Sequence, residues 1–167
     1  MIRFGILIIS DRSFRGERDD LTAPALEQYI TSSGYQVSQK QIVPDESDAI
    51  STTLADWVDT NTADVILTSG GTGFTSRDVT PEATLAIIDR IAPGISEAIR
   101  AFSLRITPHA MLSRAVSGIR KRTLIINLPG SPKGALESLK YVLPVLSHAV
   151  DLLQDSANAE KGHIVKG

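Results

Sequence analysis

Short runs of apolar, largely β-branched residues alternate with segments of helical period along almost the whole chain. Residues 4–9 (FGILII) carry no polar side chain, as expected of a strand covered on both faces of a sheet. Three more segments have the composition of strands, namely residues 35–43, 64–67 and 124–128. Strands that alternate with helices are connected by right-handed crossovers, so the pattern predicts an α/β fold with a mostly parallel sheet.

The helical pattern occupies five segments, namely residues 23–33, 48–59, 81–90, 93–104 and 133–153. At the start of the third, Thr80 is predicted to be the N-cap, and Pro81 to take the first helical position, where a missing N–H is harmless. Pro144 is predicted to kink or divide the last helix, because a proline inside a helix removes one backbone hydrogen bond.

Length and composition indicate a single domain, which we expect to span residues 1–155, followed by a short polar tail at residues 156–167. A content of 42% hydrophobic and 22% charged residues is typical of a globular protein. No apolar run reaches the roughly 18–20 residues of a membrane span, so no membrane partner is expected. A net charge of −2 with only 5% aromatic residues argues against binding nucleic acid. The chain has no cysteine, which is consistent with the reducing cytoplasm, where we expect it to act.

Unusual polar and glycine-rich clusters follow each predicted strand. The first strand is followed by Ser10 and Asp11, the second by Asp45, the third by residues 69–73 and the fourth by residues 127–132. In parallel α/β sheets, ligands bind at the carboxyl ends of the strands. We therefore expect all four clusters to converge on one edge of the sheet.

The glycine-rich cluster lies in the stretch TSGGTGFTSRDVTPEAT, residues 68–84. Its three glycines, Gly70, Gly71 and Gly73, permit positive φ and let bare N–H groups approach a ligand, for which phosphate is the natural choice. A helix N-terminus follows and would favour the same anion. The stretch matches neither the GxxxxGK[ST] nor the GxGxxG nucleotide motif. The alternative interpretation is a tight strand-to-helix turn that binds nothing.

Two aspartates, Asp45 and Asp78, fall at the same predicted edge. Magnesium commonly binds one or two carboxylates and completes its coordination with water and substrate phosphates. Each aspartate alone could equally be a turn or capping residue, and their shared position favours the metal site. The three histidines are scattered without ligand-like spacing, so no zinc site is expected.

Two further segments allow more than one interpretation. The NLPGSP turn, residues 127–132, is held by two prolines around Gly130, with Ser131 and Lys133 beside it. This turn could hold a ring or a phosphate, or could simply end a strand. Arg12, Arg15 and Arg18 share their loop with acidic residues and are interpreted as a solvated loop.

Together, SDR near the start, VPDE, GGTG followed by RDVTPEA, and NLPGSPKG near the end resemble the MogA/MoaB family of molybdopterin-binding proteins. The resemblance covers residues 3–153. The segments ISDRSFRG and MLSRAVSGIRKRTLIINLPG are more similar to the MogA type, the molybdopterin adenylyltransferases, than to the MoaB branch.

The resemblance implies an enzyme of molybdenum cofactor biosynthesis that transfers AMP from magnesium-ATP to the terminal phosphate of molybdopterin and releases pyrophosphate. It also implies a three-layer α/β sandwich with helices on both faces of the sheet, a homotrimer, and a downstream protein that inserts molybdate. The alternative, from the MoaB branch, is a carrier or scaffold that binds molybdopterin without adenylylating it.

The family's two essential aspartates match Asp45 and Asp78, which the resemblance makes catalytic and magnesium-binding. It also implies that nucleotide and pterin lie along the glycine loop and the LPGxP turn. The residues expected to bind them are Ser10, Asp11, Ser69, Gly70, Gly71, Thr72, Gly73, Thr80, Pro81, Pro129, Gly130, Ser131, Pro132 and Lys133.

Overall fold

The computed structural model describes residues 1–155, and the predicted polar tail lies outside the described residues. The strands are β1 (Arg3–Ile9), β2 (Gln36–Val43), β3 (Val65–Ser69), β4 (Arg90–Ile91), β5 (Ser117–Arg120) and β6 (Thr123–Leu128). The α-helices are α1 (Asp11–Phe14), α2 (Thr22–Ser32), α3 (Ser47–Asp59), α4 (Thr80–Leu85), α5 (Pro93–Leu104) and α6 (Pro132–Leu153). A short 3₁₀ helix, Pro108–Leu112, follows α5. No helix in this part of the chain is long and apolar enough to cross a membrane.

The strands form one six-stranded sheet in the order β2-β1-β3-β6-β5-β4. The first four strands in this order, β2, β1, β3 and β6, are parallel to one another, whereas β5 and β4 are antiparallel to their neighbours. This arrangement confirms the predicted mostly parallel sheet.

Helices cover both faces of the sheet, which confirms the three-layer sandwich. Alternate residues of the central strands point to opposite sides. On β1, Ile6 and Ile8 belong to a core beneath α2, α5 and α6, while Leu7 and Ile9 belong to a second core beneath α3 and α4. Because both faces are buried, the central strands need apolar residues at consecutive positions, and the sequence provides them.

The region around α4 differs from the prediction. The helix ends at Leu85 rather than at residue 90, because Arg90 and Ile91 pair with β5 as an antiparallel edge strand. Neither β4 nor β5 was predicted. The N-cap is Val79 rather than Thr80, which is the first residue of the helix.

Of the two outcomes predicted at Pro144, a kink or a division, the division does not occur, because α6 is continuous from Pro132 to Leu153. Pro144 lies on the exposed side of the helix. Its neighbours Val142, Leu143 and Leu146 are buried in the core, and this burial holds the two halves of the helix against the sheet.

Candidate active site

The four clusters meet at the carboxyl edge of the parallel strands, as expected. The Ser69 hydroxyl, at the end of β3, donates a hydrogen bond of 2.7 Å to the carbonyl oxygen of Pro129, after β6. A Cβ on Gly130 would lie 3.3 Å from the Cα of Gly70, so the two loops touch through bare backbone. The Ser10 N–H donates to Val43 O at 3.0 Å, which joins the ends of β1 and β2.

The backbone of the glycine loop can be formed only by glycine at two positions. Gly70 and Gly71 have φ values of 108° and 63°. A Cβ would lie 2.2 Å from Ile9 O at Gly70 and 2.4 Å from Thr80 Oγ1 at Gly71. Gly73 does not have positive φ, but its Cβ position is 3.0 Å from Asp78 Oδ2. The predicted positive φ is therefore confirmed at two of the three glycines.

Thr80 holds the loop from beneath. It is fully buried, and its hydroxyl donates to Gly70 O at 2.9 Å while its N–H donates to Gly71 O at 3.1 Å. Below it, the Thr84 hydroxyl donates to Thr80 O, and Asn127 Nδ2 on β6 donates to the Thr84 hydroxyl at 3.0 Å. Thr80 therefore shapes the loop rather than facing a ligand. Pro81 is buried as well, so neither side chain is exposed for the direct contact with substrate that was expected of both.

Asp11 and Asp45 bind each other's backbone. The N–H of Asp11 donates to Asp45 Oδ2 at 2.8 Å, and the N–H of Asp45 donates to Asp11 Oδ1 at 3.0 Å. The Arg77 guanidinium donates to both oxygens of Asp11, at 3.0 and 2.9 Å, which holds the pKa of Asp11 below its ordinary value. Burial raises the pKa of the Asp45 carboxyl, and the charges of Asp11 and Asp78 act in the same direction. Sequence reasoning did not single out Arg77.

Asp78 lies in the turn that follows the glycine loop. Its Oδ2 accepts a hydrogen bond of 2.8 Å from the Thr75 N–H. The Asp78 N–H donates to Thr75 O at 3.0 Å, so the turn closes on itself. The side chain is half-buried beside Gly73 and, in this structure, belongs to the lining of neither cavity described next.

Two cavities open at this edge and share Gly130 and Ser131. The larger has a volume of about 730 Å³, and its lining contains these predicted residues: Ser10, Asp11, Asp45, Ser69, Gly70, Gly71, Gly130, Ser131 and Pro132. The smaller has a volume of about 310 Å³ and is lined by predicted residues Thr72, Gly73, Pro129, Gly130 and Ser131, beside apolar Ile99, Ile106 and Leu112. The glycine loop thus separates the cavities, with Gly70 and Gly71 facing one and Gly73 the other.

Three basic residues occupy places that the sequence did not indicate. Arg12 and Arg18 line the larger cavity, whereas the loop was interpreted as merely solvated. That interpretation holds for Arg15, which is exposed and paired with Glu17. The position of this loop, directly after a strand at the ligand edge, was the signal available. Lys133, expected to bind substrate, is 81% exposed on α6 and lines neither cavity, and its contact with substrate stays a prediction.

The carboxylates at this edge have to be sufficient for magnesium if the ion is to bind here. Among residues 1–155, no three His, Asp or Glu side chains gather closely enough to hold a metal without help. Magnesium needs only one or two carboxylates when phosphate oxygens complete its coordination. Asp45 Oδ1 lies 3.2 Å from the Cβ position of Gly71, and Asp78 Oδ2 lies 3.0 Å from that of Gly73, so both carboxylates border the side-chain-free loop. Either carboxylate, together with phosphate oxygens and water, is the kind of ligand set that magnesium takes.

Comparison with known proteins places the chain among molybdopterin-related proteins. A family model described as "Probable molybdopterin binding domain" matches residues 5–148. The molybdopterin adenylyltransferase of Escherichia coli K12 is 45% identical over 144 residues, which are 84% of this chain and 73% of that protein. The molybdopterin adenylyltransferase of Helicobacter pylori J99 is 40% identical over 156 residues, which are 91% of this chain and 88% of that protein.

Solved structures show the same fold. The molybdopterin biosynthesis enzyme MoaB from Thermus thermophilus superimposes with a TM-score of 0.88 at 51% identity, covering 93% of this chain and 98% of that one. The molybdopterin biosynthesis Mog protein from Mycobacterium ulcerans gives 0.86 at 36% identity, covering 92% and 99%. With the family match spanning most of the domain and the expected glycine loop and turn at one sheet edge, the chain belongs to the MogA/MoaB family of molybdopterin-binding proteins.

Proposed function

We propose that the chain is a magnesium-dependent molybdopterin adenylyltransferase, which transfers AMP from ATP to the terminal phosphate of molybdopterin and releases pyrophosphate. The observation that carries the proposal is the pair of carboxylates, Asp45 and Asp78, that borders the bare glycine loop. Relatives named molybdopterin adenylyltransferase, at 40–45% identity, support the same activity.

The two cavities suit a reaction that joins two molecules. Adenylyl transfer needs the acceptor phosphate and the ATP α-phosphate side by side, with the attacking and leaving oxygens roughly in line. The cavities share Gly130 and Ser131 in their linings. A molecule in each cavity could therefore place a phosphate group at this junction, where the two phosphates would be close together. The larger cavity contains Asp45, Gly70 and Gly71, which suits the polyphosphate of ATP. The apolar wall of the smaller suits a ring system.

The residues of the chain would act mainly by positioning. Without side chains at Gly70 and Gly71, the backbone can approach phosphate oxygens. Helix α6 starts at the junction, with Ser131 as its N-cap, and its positive end favours the same anions. Asp45 and Asp78 would hold magnesium, which supplies neutralisation of the charge on the transferred phosphoryl group and the leaving pyrophosphate.

The bond changes need no general base from the protein. An anionic oxygen of the pterin phosphate attacks the α-phosphorus of ATP, and the bond between that phosphorus and the pyrophosphate oxygen breaks. The electron pair leaves with pyrophosphate. Because the attacking oxygen is already deprotonated, the site can work without a histidine, and neither Asp45 nor Asp78 has to accept a proton.

A carrier or scaffold that binds molybdopterin without adenylylating it is the second candidate. Its support is the 51% identity to the Thermus thermophilus MoaB protein, which belongs to the sister branch, although that protein is itself named a biosynthesis enzyme. Both candidates use the same pocket, so they differ in turnover with magnesium-ATP and not in pterin affinity.

The setting we propose follows the resemblance. The chain would act as a homotrimer in the cytoplasm and pass its adenylylated product to a protein that inserts molybdate. Exposed apolar side chains on α5, the 3₁₀ helix and α6 offer a surface for self-association, and they include Leu104, Met111, Tyr141 and Val145.

Mass spectrometry tests the activity directly. The protein is incubated with magnesium-ATP and molybdopterin, and the adenylylated pterin is sought. Product that vanishes when magnesium is omitted would support the enzyme. Pterin that is retained but never adenylylated would favour the carrier.

A further inference from the structure

Arg114 holds both ends of the turn that carries Asp78. It lies between the 3₁₀ helix and β5, outside the linings of the two cavities. Its Nε donates to Gly73 O at 2.7 Å, and its Nη2 donates to Asp78 O at 2.5 Å. Its Nη1 pairs with the Glu82 carboxylate on α4, and the backbone N–H of Arg114 donates to Thr72 O at 2.9 Å. One side chain therefore connects the glycine loop, the Asp78 turn and the next helix.

Between Gly73 and Asp78 the chain makes an exposed four-residue excursion, residues 74–77. Reciprocal hydrogen bonds between Thr75 and Asp78 fix the internal shape of this turn. They do not fix its position relative to the rest of the site. Arg114 supplies that position, because it binds the last carbonyl before the excursion and the first one after it.

Only a guanidinium can make these contacts together. Its planar fork offers five N–H donors in fixed directions, and here it reaches two carbonyls and a carboxylate. A lysine would keep the charge but present one compact ammonium. A second anchor of the excursion is the Arg77–Asp11 pair, in which Arg77 donates to both carboxylate oxygens. That pair ties residue 77 to α1, whereas Arg114 binds the carbonyls on both sides of the excursion.

We propose that Arg114 is a positioning residue for the transfer reaction. It sets the separation between the Asp78 carboxylate and the glycine loop, and thereby the affinity with which Asp78 binds magnesium at the phosphate. The inference rests on the proposed role of Asp78. Arg114 itself touches neither substrate nor metal.

Arg114→Lys is the first test, because it keeps the charge and the aliphatic stem. We expect the magnesium concentration for half-maximal activity to rise roughly tenfold, as is typical when a partner of a metal ligand is lost. Turnover should fall, whereas KM for molybdopterin should stay nearly unchanged. Arg114→Gln, which loses the charge too, should show at least the same shift and serves as a second variant if the first folds poorly.

Two controls separate positioning from general stability. Arg120→Lys removes a similar guanidinium, which donates to Ile87 O at 2.9 Å and pairs with Asp59 away from the loop. Glu82→Gln removes the ion pair of Arg114 but leaves its hydrogen bonds to the two carbonyls. Both controls should keep the wild-type magnesium dependence. A magnesium shift in Arg120→Lys equal to that in Arg114→Lys would overturn the proposal.

A readout besides turnover is binding of Mn²⁺, measured by electron paramagnetic resonance in the presence of a non-hydrolysable ATP analogue. Mn²⁺ should bind roughly tenfold more weakly to Arg114→Lys than to the wild type. Hydrogen exchange of residues 72–80 should quicken in the same variant. Faster exchange with unchanged Mn²⁺ affinity would assign Arg114 a purely structural role. If the wild type bound no Mn²⁺, the proposed metal site itself would fail. If the wild type and Arg114→Lys bound Mn²⁺ equally well, only the proposed role of Arg114 would fail.

Discussion

Asp78 is the residue on which the proposed chemistry depends most directly. In Asp78→Asn, the amide oxygen can still accept the Thr75 N–H, so the turn should keep its shape, but the negative charge is lost. We expect turnover to fall by at least about tenfold, the low end of the effect of weakening a metal site, without loss of stability. Pyrophosphate release and the thermal midpoint Tm measure the two quantities. A folded variant with wild-type turnover would remove Asp78 from the mechanism.

Gly71 tests the glycine loop in the same way. In Gly71→Ala, the new Cβ would lie 2.4 Å from Thr80 Oγ1 in a backbone with φ of 63°, so the loop has to shift. We expect weaker ATP binding by isothermal titration calorimetry. Gly94→Ala is the matched control, since its Cβ would meet nothing within 4 Å on α5. An unchanged ATP Kd in Gly71→Ala would place the nucleotide elsewhere.

At the scale of elements, Asp64 connects the start of β3 to its neighbours. Its carboxylate accepts hydrogen bonds from the Arg3 N–H and guanidinium, both at 2.8 Å, and its carbonyl accepts from the Leu124 N–H at 3.0 Å. Burial alone would raise the pKa of Asp64, but the hydrogen bonds and charge of Arg3 outweigh it and hold the pKa below its ordinary value. A charged Asp64 therefore stabilises the fold.

The sign of the pH effect follows. A carboxyl with a depressed folded pKa contributes stability above its unfolded pKa, near 3.9, and loses it as pH falls through the lower folded pKa. The difference in unfolding free energy between the wild type and Asp64→Asn should therefore be largest at neutral pH and shrink below about pH 4. Urea titrations from pH 7 down to about pH 2.5, well below the unfolded pKa, measure it. A difference independent of pH would show that the Asp64 charge does not matter.

Periodicity predicted the elements with a continuous pattern and missed those set by pairing. The strand at residues 4–9 and the helix at residues 48–59 were recognised because their large apolar residues all belong to a core. The edge strand Arg90–Ile91 has only two residues, both exposed, and forms because β5 lies beside it. Such a strand has no local pattern, so the sequence suggested a longer helix instead.

At the scale of the whole molecule, parallel topology made the site predictable. The clusters that follow four parallel strands have to meet at one edge of the sheet. They do so here, because Ser69 contacts Pro129 and Gly130 contacts Gly70. The arginines were less predictable. The partners Arg77 and Asp11 are 66 positions apart in the sequence, and Arg114 is 36 positions from Asp78. Such partners come together only in the tertiary fold. No local pattern in the sequence encodes these contacts.

The quaternary structure is the last prediction, and it concerns the outer surface of α5, the 3₁₀ helix and α6. Met111 is 69% exposed there, and Phe102 stacks on Tyr141 with ring centroids 4.5 Å apart, joining α5 to α6. A closed trimer uses two different patches on each subunit, so a charge on either patch should open the ring. Met111→Glu should therefore lower the mass measured by sedimentation from three chains to one. Leu85→Glu, on α4 across the sheet, should remain trimeric. A wild-type monomer at micromolar concentration would contradict the trimer, and a trimeric Met111→Glu would place the interface on another surface.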